Sequence, residues 1–272
     1  MNIAFLTRTK EFEGFVKGKQ WLENFSASEY IKKILITTNV KGLKNKLACP
    51  EIDIIYCNDK EPEKIDPTGT VAINLALEKI IEDDSIDGFL IASREITMGF
   101  SEIIELIEAL RGIGKKDEDI LVAGYKFKVD NKELNMELEE AYNNKNIAFM
   151  IPWNTCALWN LNIIREIVRK TDEPFFDVLC DKNSCGDLKV KIDNKDESTK
   201  YKGMEDGLAI AKACTFDNKL RYRLLEKQLG WEVNDKKYLE HRKKIVRKDI
   251  VLSHFIGLKG YSVNALKKAR LQ

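Results

Sequence analysis

Apolar and polar positions change their period several times along the chain. Branched apolar runs at Asn2 to Thr7, Lys33 to Thr38, Ile52 to Cys57 and Gly88 to Ala92 read as strands. Between the third and fourth, Val71, Leu75, Ile80 and Ile81 recur among Asn74, Glu78 and Lys79, a spacing that predicts a helix over 71–81. A further helix is expected from Ser101, as its N-cap, to about Leu110, with Gly112 and Gly114 ending it. Strand, helix and strand in succession imply a mainly parallel sheet with helices on its faces.

Beyond Gly124 the rhythm is less regular. Leu134 to Tyr142 reads as a helix, Ile147 to Pro152 as a strand, and Ala157 to Val168 as a helix. Phe175 to Ser198 carries Asp, Asn, Gly and Lys around one strand-like piece, Leu188 to Ile192, and suits a flexible active-site loop. Leu220 to Leu229 is expected to be a helix closed by Gly230, and Tyr238 to Val246 a basic helix. No internal repeat and no Gly/Ser/Pro linker interrupts the chain, so a single α/β domain is the simpler organisation.

Composition adds bounds. With 272 residues, 44% of them hydrophobic, the chain can bury a large core. The formal charge of +1, from 45 basic and 44 acidic residues, gives no bulk reason to hold a polyanion, so no nucleic-acid partner is expected. The charge is unevenly spread: residues 235–272 hold 11 Lys or Arg against 3 Asp or Glu, behind an acidic body. That basic segment is either a solvated face or a peripheral contact with anionic lipid, where each cation contributes roughly 1 kcal/mol. The stretch Met1 to Arg8 is too short in apolar length for a signal peptide, and runs such as Ile147 to Trp153 fall far below the roughly 20 residues that span a bilayer, so a cytoplasmic protein is expected. Six cysteines without a CxxC pair read as reduced thiols.

Candidate chemistry gathers where ligands bind in open α/β sheets, beyond the carboxyl ends of strands. Thr7-Arg8-Thr9 follows the first predicted strand, Thr37-Thr38-Asn39 the second and Ser93-Arg94-Glu95 the fourth. Hydroxyls and amides suit a base and ribose, and a guanidinium fork suits phosphate, although turns also select polar residues. No Walker loop and no GxGxxG fingerprint is present, which removes the usual support for kinases and dinucleotide dehydrogenases. The two histidines, His241 and His254, do not suggest a hydrolase triad; His254 is either structural or a metal ligand. Trp153 and Trp159 are either core or a platform for a sugar ring. Glu205-Asp206 heads a helix-like stretch, Leu208 to Cys214. Neighbouring helical acids point about 100° apart, so one can serve as a general base while the other binds a nearby group; acids also favour first helical turns for the dipole alone.

Taken in order, several segments resemble the GT-A fold, nucleotide-sugar-dependent inverting glycosyltransferases, especially family two. Gly69 to Ala76 looks like that family's Asn-bearing helix, Asp87 to Glu95 like its strand and DxD-like metal motif, Asn154 to Trp159 like the segment before the second motif, and Gly203-Met204-Glu205-Asp206 with Leu229-Gly230-Trp231 like the acid-pair helix and the turn after it. The resemblance implies a nucleotide-binding half over 1–125, an acceptor half over 126–234 and a basic C-terminal helical segment over 235–272. It implies Asp206 as the base that activates the acceptor hydroxyl, with Glu205 positioning acceptor or base. Thr7, Arg8, Thr9, Thr38, Asn39, Asn74, Ser93 and Arg94 would then face the nucleotide. Glu95 falls at the last acid of a divalent metal motif, for Mn or Mg, with His254 as a further ligand. Ser93 and Arg94 stand where the family has acids, leaving one carboxylate for an ion that prefers several oxygens. The partners implied are a nucleotide-sugar donor and a carbohydrate or lipid-linked acceptor. Two other readings stay open. A sugar-phosphate nucleotidyltransferase lacks its Gly-rich loop after Leu6, and a non-catalytic GT-A-like binding or scaffold protein is compatible with the degenerate metal motif.

Overall fold

The computed structural model describes residues 1–10, 28–47, 52–57, 65–93, 96, 98–112, 119–177, 187–192, 195–200, 205–231 and 238–271. Its first half matches the strand pattern: β1 (Ile3–Thr9), β2 (Ile31–Thr38), β3 (Ile52–Tyr56) and β4 (Gly88–Ala92). Between them lie α1 (Leu43–Leu47) and α2 (Thr70–Glu78), and after β4 comes α3 (Phe100–Arg111). Ser101 is not the N-cap of α3. The N-cap is Gly99, two residues earlier, where Glu102 Oε2 accepts from the backbone N–H of Gly99 at 2.8 Å and closes the helix start. At the other end Gly112 takes φ +67°, which stops the helix as glycine can without a Cβ clash.

The second half is β5 (Ile120–Val129), α4 (Lys132–Asn143), a 3-10 turn (Ile147–Phe149), β6 (Cys156–Asn160), α5 (Leu161–Thr171), β7 (Asp187–Ile192), β8 (Lys195–Lys200), α6 (Glu205–Phe216), β9 (Arg221–Trp231), α7 (Tyr238–Leu258), α8 (Val263–Lys268) and β10 (Arg270–Leu271). Three expectations fail here. The segment 147–152 holds a 3-10 turn and no strand. The pattern over 157–168 is two elements: Cys156–Asn160 pairs with both β4 and β5, and the Asn160 side chain then accepts from the N–H groups of Asn162 and Ile163 to open α5. Leu220 to Leu229 is mostly strand β9. Leu220, Tyr222 and Leu224 alternate inward, a period of two, while the pairing with β5 steps from Leu225 to Gln228. Glu226 and Lys227, residues of good helix propensity, fall in that bulge, and Lys227 reaches Glu105 at 2.9 Å and Glu102 at 3.0 Å.

One eight-stranded sheet runs through the molecule in the order β10-β9-β5-β6-β4-β1-β2-β3. β6 is antiparallel to both of its neighbours, and the other paired strands of the sheet share one direction. The chain steps outward from β1 to β2 and β3, then returns to place β4 on the other side of β1. Strand order therefore reverses between β1 and β4, which is where such sheets open a ligand crevice. Strands β1 and β4 are buried on both faces, as near-continuous apolar runs require when helices cover a parallel sheet. β7 and β8 form a separate two-stranded hairpin.

Candidate active site

The carboxyl ends of β1 and β2 are tied together by the segment 65–70. Arg8 donates through Nη1 to the Thr68 carbonyl at 2.8 Å, Thr37 Oγ1 to that of Pro67 at 2.7 Å, and Asn39 Nδ2 to that of Ile65 at 3.2 Å. Thr38 Oγ1 accepts from the Val40 N–H at 3.0 Å, a turn-forming role. Asp66 takes hydrogen bonds from the Thr68 N–H, the Thr68 hydroxyl and Lys10. Burial alone would raise its pKa, but these donors hold the carboxyl at about 2. Three buried polar atoms at this edge have no partner: Thr7 Oγ1, Asn39 Oδ1 and Thr70 Oγ1. Thr9 is buried beside them. At the end of β4, the Ser93 N–H donates to the Thr155 carbonyl at 2.8 Å. Arg94 and Glu95 lie outside the described residues.

Opposite this edge stands the acid pair. Glu205 and Asp206 form the first turn of α6 and are 7% and 3% exposed. Asp206 is pinned: Oδ2 accepts from the Asn154 N–H at 2.9 Å and Oδ1 from the Gly207 N–H at 2.8 Å. The reversed strand β6 explains Asn154. Because β6 runs against its neighbours, the residues before it arrive at the carboxyl end of β4, beside the crevice. Asn154 is 1% exposed; its Oδ1 accepts from Trp159 Nε1 at 2.8 Å, and its Nδ2 has no partner. Glu205 meets Arg8 across the edge, Oε1 to Nη1 at 3.8 Å. Burial first, and the Asp206 carboxylate second, raise the pKa of Glu205, with Arg8 and Lys248 opposing.

The long helix α7 supplies the counter-charges. Lys244, Lys248 and Leu252 follow one another at i, i+4 and i+8 along one side of it. That side packs on the first turn of α6: a Cβ on Gly207 would meet the two Leu252 methyls at 2.7 and 2.8 Å. Lys248 is 4% exposed, with Nζ 3.8 Å from the centroid of the Trp153 ring, a cation–π contact. Its pKa is lowered by burial, against the pull of Asp206 and Glu205. Lys244 is pushed down to about 8, by burial and then by Lys248, with the two acids again opposing. Sequence reasoning missed Lys248, although a signal was there: on α7 the apolar stripe Ile245, Leu252, Phe255 and Ile256 has a lysine at the inward position after Ile245.

Other expected residues sit elsewhere. Asn74 clamps the chain at Phe176, donating to its carbonyl at 2.8 Å and accepting from its N–H at 3.3 Å. His254 is exposed on α7, about 120° around the helix from Lys248. Trp159 is fully buried against Phe175 and Phe176, and Trp153 packs on Phe127 and Phe149, so both are core rather than open sugar platforms. Among the described residues no group of three or more His, Cys, Asp or Glu is placed to hold a metal ion. No helix of the described residues is long and apolar enough to cross a membrane. A groove of about 790 Å³ between α4 and α7, lined by Glu133, Met136, Glu140, Tyr238, Leu239 and Arg242 among others, shares no residue with the acid-pair cluster.

No protein-family model matches the chain, and no curated protein matches it in sequence. Solved structures do match in fold. The glucosyl-3-phosphoglycerate synthase from Mycobacterium tuberculosis in complex with UDP superposes at a TM-score of 0.53 and 11% identity, over 94% of this chain and 80% of that one. The same enzyme with Mn2+, UDP-glucose and phosphoglyceric acid gives 0.52 and 10%, over the same shares of 94% and 80%. The eight-stranded, mainly parallel sheet with its flanking helices thus has the GT-A-like architecture of these nucleotide-sugar glycosyltransferases.

Proposed function

We propose that this protein transfers a sugar from a nucleotide-sugar donor to a hydroxyl of a small acceptor. The observation that carries this is the meeting of Arg8, at the strand-order reversal, with Glu205, at the head of α6, 3.8 Å apart. A nucleotide in the crevice beyond β1 and β4 would present its diphosphate-linked sugar toward the acid pair. Structures of the same fold at 10% identity hold UDP-glucose, Mn2+ and phosphoglyceric acid, which supports a nucleotide-sugar co-substrate and a small hydroxylated acceptor here. A divalent ion in this chain would rely on Glu95, with the described residues adding no ligand set.

The two acids divide the work in the reverse of the order that the resemblance implied. Both Asp206 oxygens accept backbone N–H groups, which fixes the carboxylate and joins α6 to the segment before β6. Glu205 is raised by burial and by its neighbour, and a carboxylate whose pKa is moved toward neutrality is the better proton acceptor. Glu205 therefore takes the proton of the attacking hydroxyl, and Asp206 holds it in place. A single displacement assisted this way inverts the anomeric carbon.

The test is a donor panel led by UDP-glucose, with phosphoglyceric acid as acceptor, followed by mass spectrometry and by NMR of the anomeric centre. Glu205→Gln should keep its fold and its UDP affinity while losing transfer about 100-fold or more. Wild-type rates in that variant, or retained anomeric configuration, would remove the base assignment. A wild-type protein that turns over no donor would remove the transferase reading itself.

A further inference from the structure

Of the two hydrogen bonds that pin Asp206, one cannot place it on the sheet. The Gly207 N–H belongs to the same first turn of α6, so that bond fixes the carboxylate only on its own helix. The Asn154 N–H lies 52 positions away and sets the carboxylate against the sheet. Arg8 reaches the other acid, Glu205, at 3.8 Å, too far for a hydrogen bond. The hydrogen-bonded placement of the pair therefore depends on how firmly Asn154 is held. Its side chain is braced from the sheet: Asn154 Oδ1 accepts from Trp159 Nε1 at 2.8 Å, across the turn that the Cys156 N–H closes on the Trp153 carbonyl at 3.0 Å. Trp159 stands in β6 between Phe89 of β4 and Val122 of β5. Its indole is fully buried and meets Phe175 and Phe176 edge-on, with ring centroids 5.5 and 5.2 Å away. Phe176 is in turn clamped at its backbone by Asn74 of α2. An indole N–H can only donate, so Trp159 also decides which way the Asn154 amide faces. Oδ1 turns to the indole, and Nδ2 stays a buried donor without a partner. That orientation persists at the cost of one unmade bond, because the flipped amide would set two donors against each other.

We propose that Trp159 is a positioning residue for the acid pair, acting through Asn154: the indole fixes the Asn154 side chain, and the Asn154 N–H fixes Asp206 beside Glu205. Its part in sugar transfer rests on the transferase reading above, whereas the tie itself does not. Phenylalanine at position 159 keeps a ring against Phe175 and Phe176 and removes the one donor, which frees the Asn154 amide to turn. Proton transfer to Glu205 is sensitive to that freedom, since a misplacement of about 1 Å can cost on the order of 100-fold in rate. An acid pair that is loosened rather than lost lowers kcat and leaves the donor KM in place.

NMR of the protein with isotopically labelled asparagine reads the tie, and steady-state kinetics with the donor panel and phosphoglyceric acid read its consequence. An amide that donates to a carboxylate resonates downfield, so the Asn154 N–H is expected at low field in the wild type and further upfield in Trp159→Phe. The same variant should lose about 10-fold in kcat with its donor KM unchanged. Asn154→Ala keeps its backbone N–H and should match that loss. The double variant should be no slower than the slower single one, because both changes cut one path. Circular dichroism checks the fold, and if Trp159→Phe does not fold, Asn154→Ala carries both readings with labelled alanine. An unmoved resonance, a wild-type kcat in a folded variant, or losses that multiply in the double variant would overturn the proposal. Wild type that turns over no donor would remove the transferase reading, and the resonance alone would then decide whether Trp159 holds the pair.

Discussion

Asn74 uses both ends of its amide on the backbone of Phe176, 102 positions away in the chain. Asn74→Ala leaves that buried N–H and carbonyl without partners, and urea unfolding should show a loss of about 2–4 kcal/mol. Lys244 makes a pH prediction. Its pKa in the folded state is about 8, below the usual lysine value, because of burial and Lys248, with Arg8 adding to this and Glu205 and Asp206 opposing. The unfolded chain therefore binds more protons above pH 8, and stability rises with pH through that window. Between pH 7 and 9 the wild type should gain about 1 kcal/mol relative to Lys244→Met in denaturant titrations; a constant difference would show that Lys244 ionises normally. At this scale the sequence revealed which acids are paired, because two adjacent carboxylates at a helix start are visible by eye. It did not reveal their partners. Asn154, Lys248 and Arg8 lie tens to hundreds of positions from Asp206, and only the strand order brings them together.

Elements were legible where a single period ruled. The four strands of the first half, with α2 and α3, follow from apolar runs and helical spacing, whereas the five-residue α1 is too short to show a period. In the second half, β6 and α5 share one unbroken apolar stretch, and the Asn160 cap that divides them is a polar residue among many. The helix formers Glu226 and Lys227 hide a strand because they sit in a bulge where no pairing is required. The same close packing gives a test at two glycines. A Cβ at Gly124 of β5 would meet the Pro152 side chain at 2.7 Å and the Cys156 carbonyl at 2.8 Å, so Gly124→Ala must move backbone. It should cost about 3 kcal/mol and also disturb Asn154, two residues beyond Pro152, reducing activity. At Gly207 the clash is only with Leu252 and Ile151 methyls, and the helix gains propensity from alanine. Gly207→Ala should cost about 1 kcal/mol, and thermal unfolding that ranked the two the other way would contradict this account.

For the molecule as a whole, α7 is part of the core and not an appendage. It buries Ile245, Val251, Leu252, Phe255 and Ile256 against the rest of the chain, and Asp249 accepts from the Ala148 N–H at 3.1 Å. A protein truncated after residue 237 should lose cooperative unfolding and bind the dye ANS, since the apolar surface under α7 is then bare. The sequence shows this segment as a basic run, and composition cannot tell a cation facing water from one facing a buried carboxylate. The Arg8 to Lys248 span also has a consequence for biosynthesis. Arg8 lies 240 positions before Lys248 in the chain, so during synthesis the strand edge and the acid pair are made before Lys244 and Lys248. Products of premature termination would hold the acid pair with Arg8 but without Lys244 and Lys248, a half-built site, and would be inactive rather than partly active.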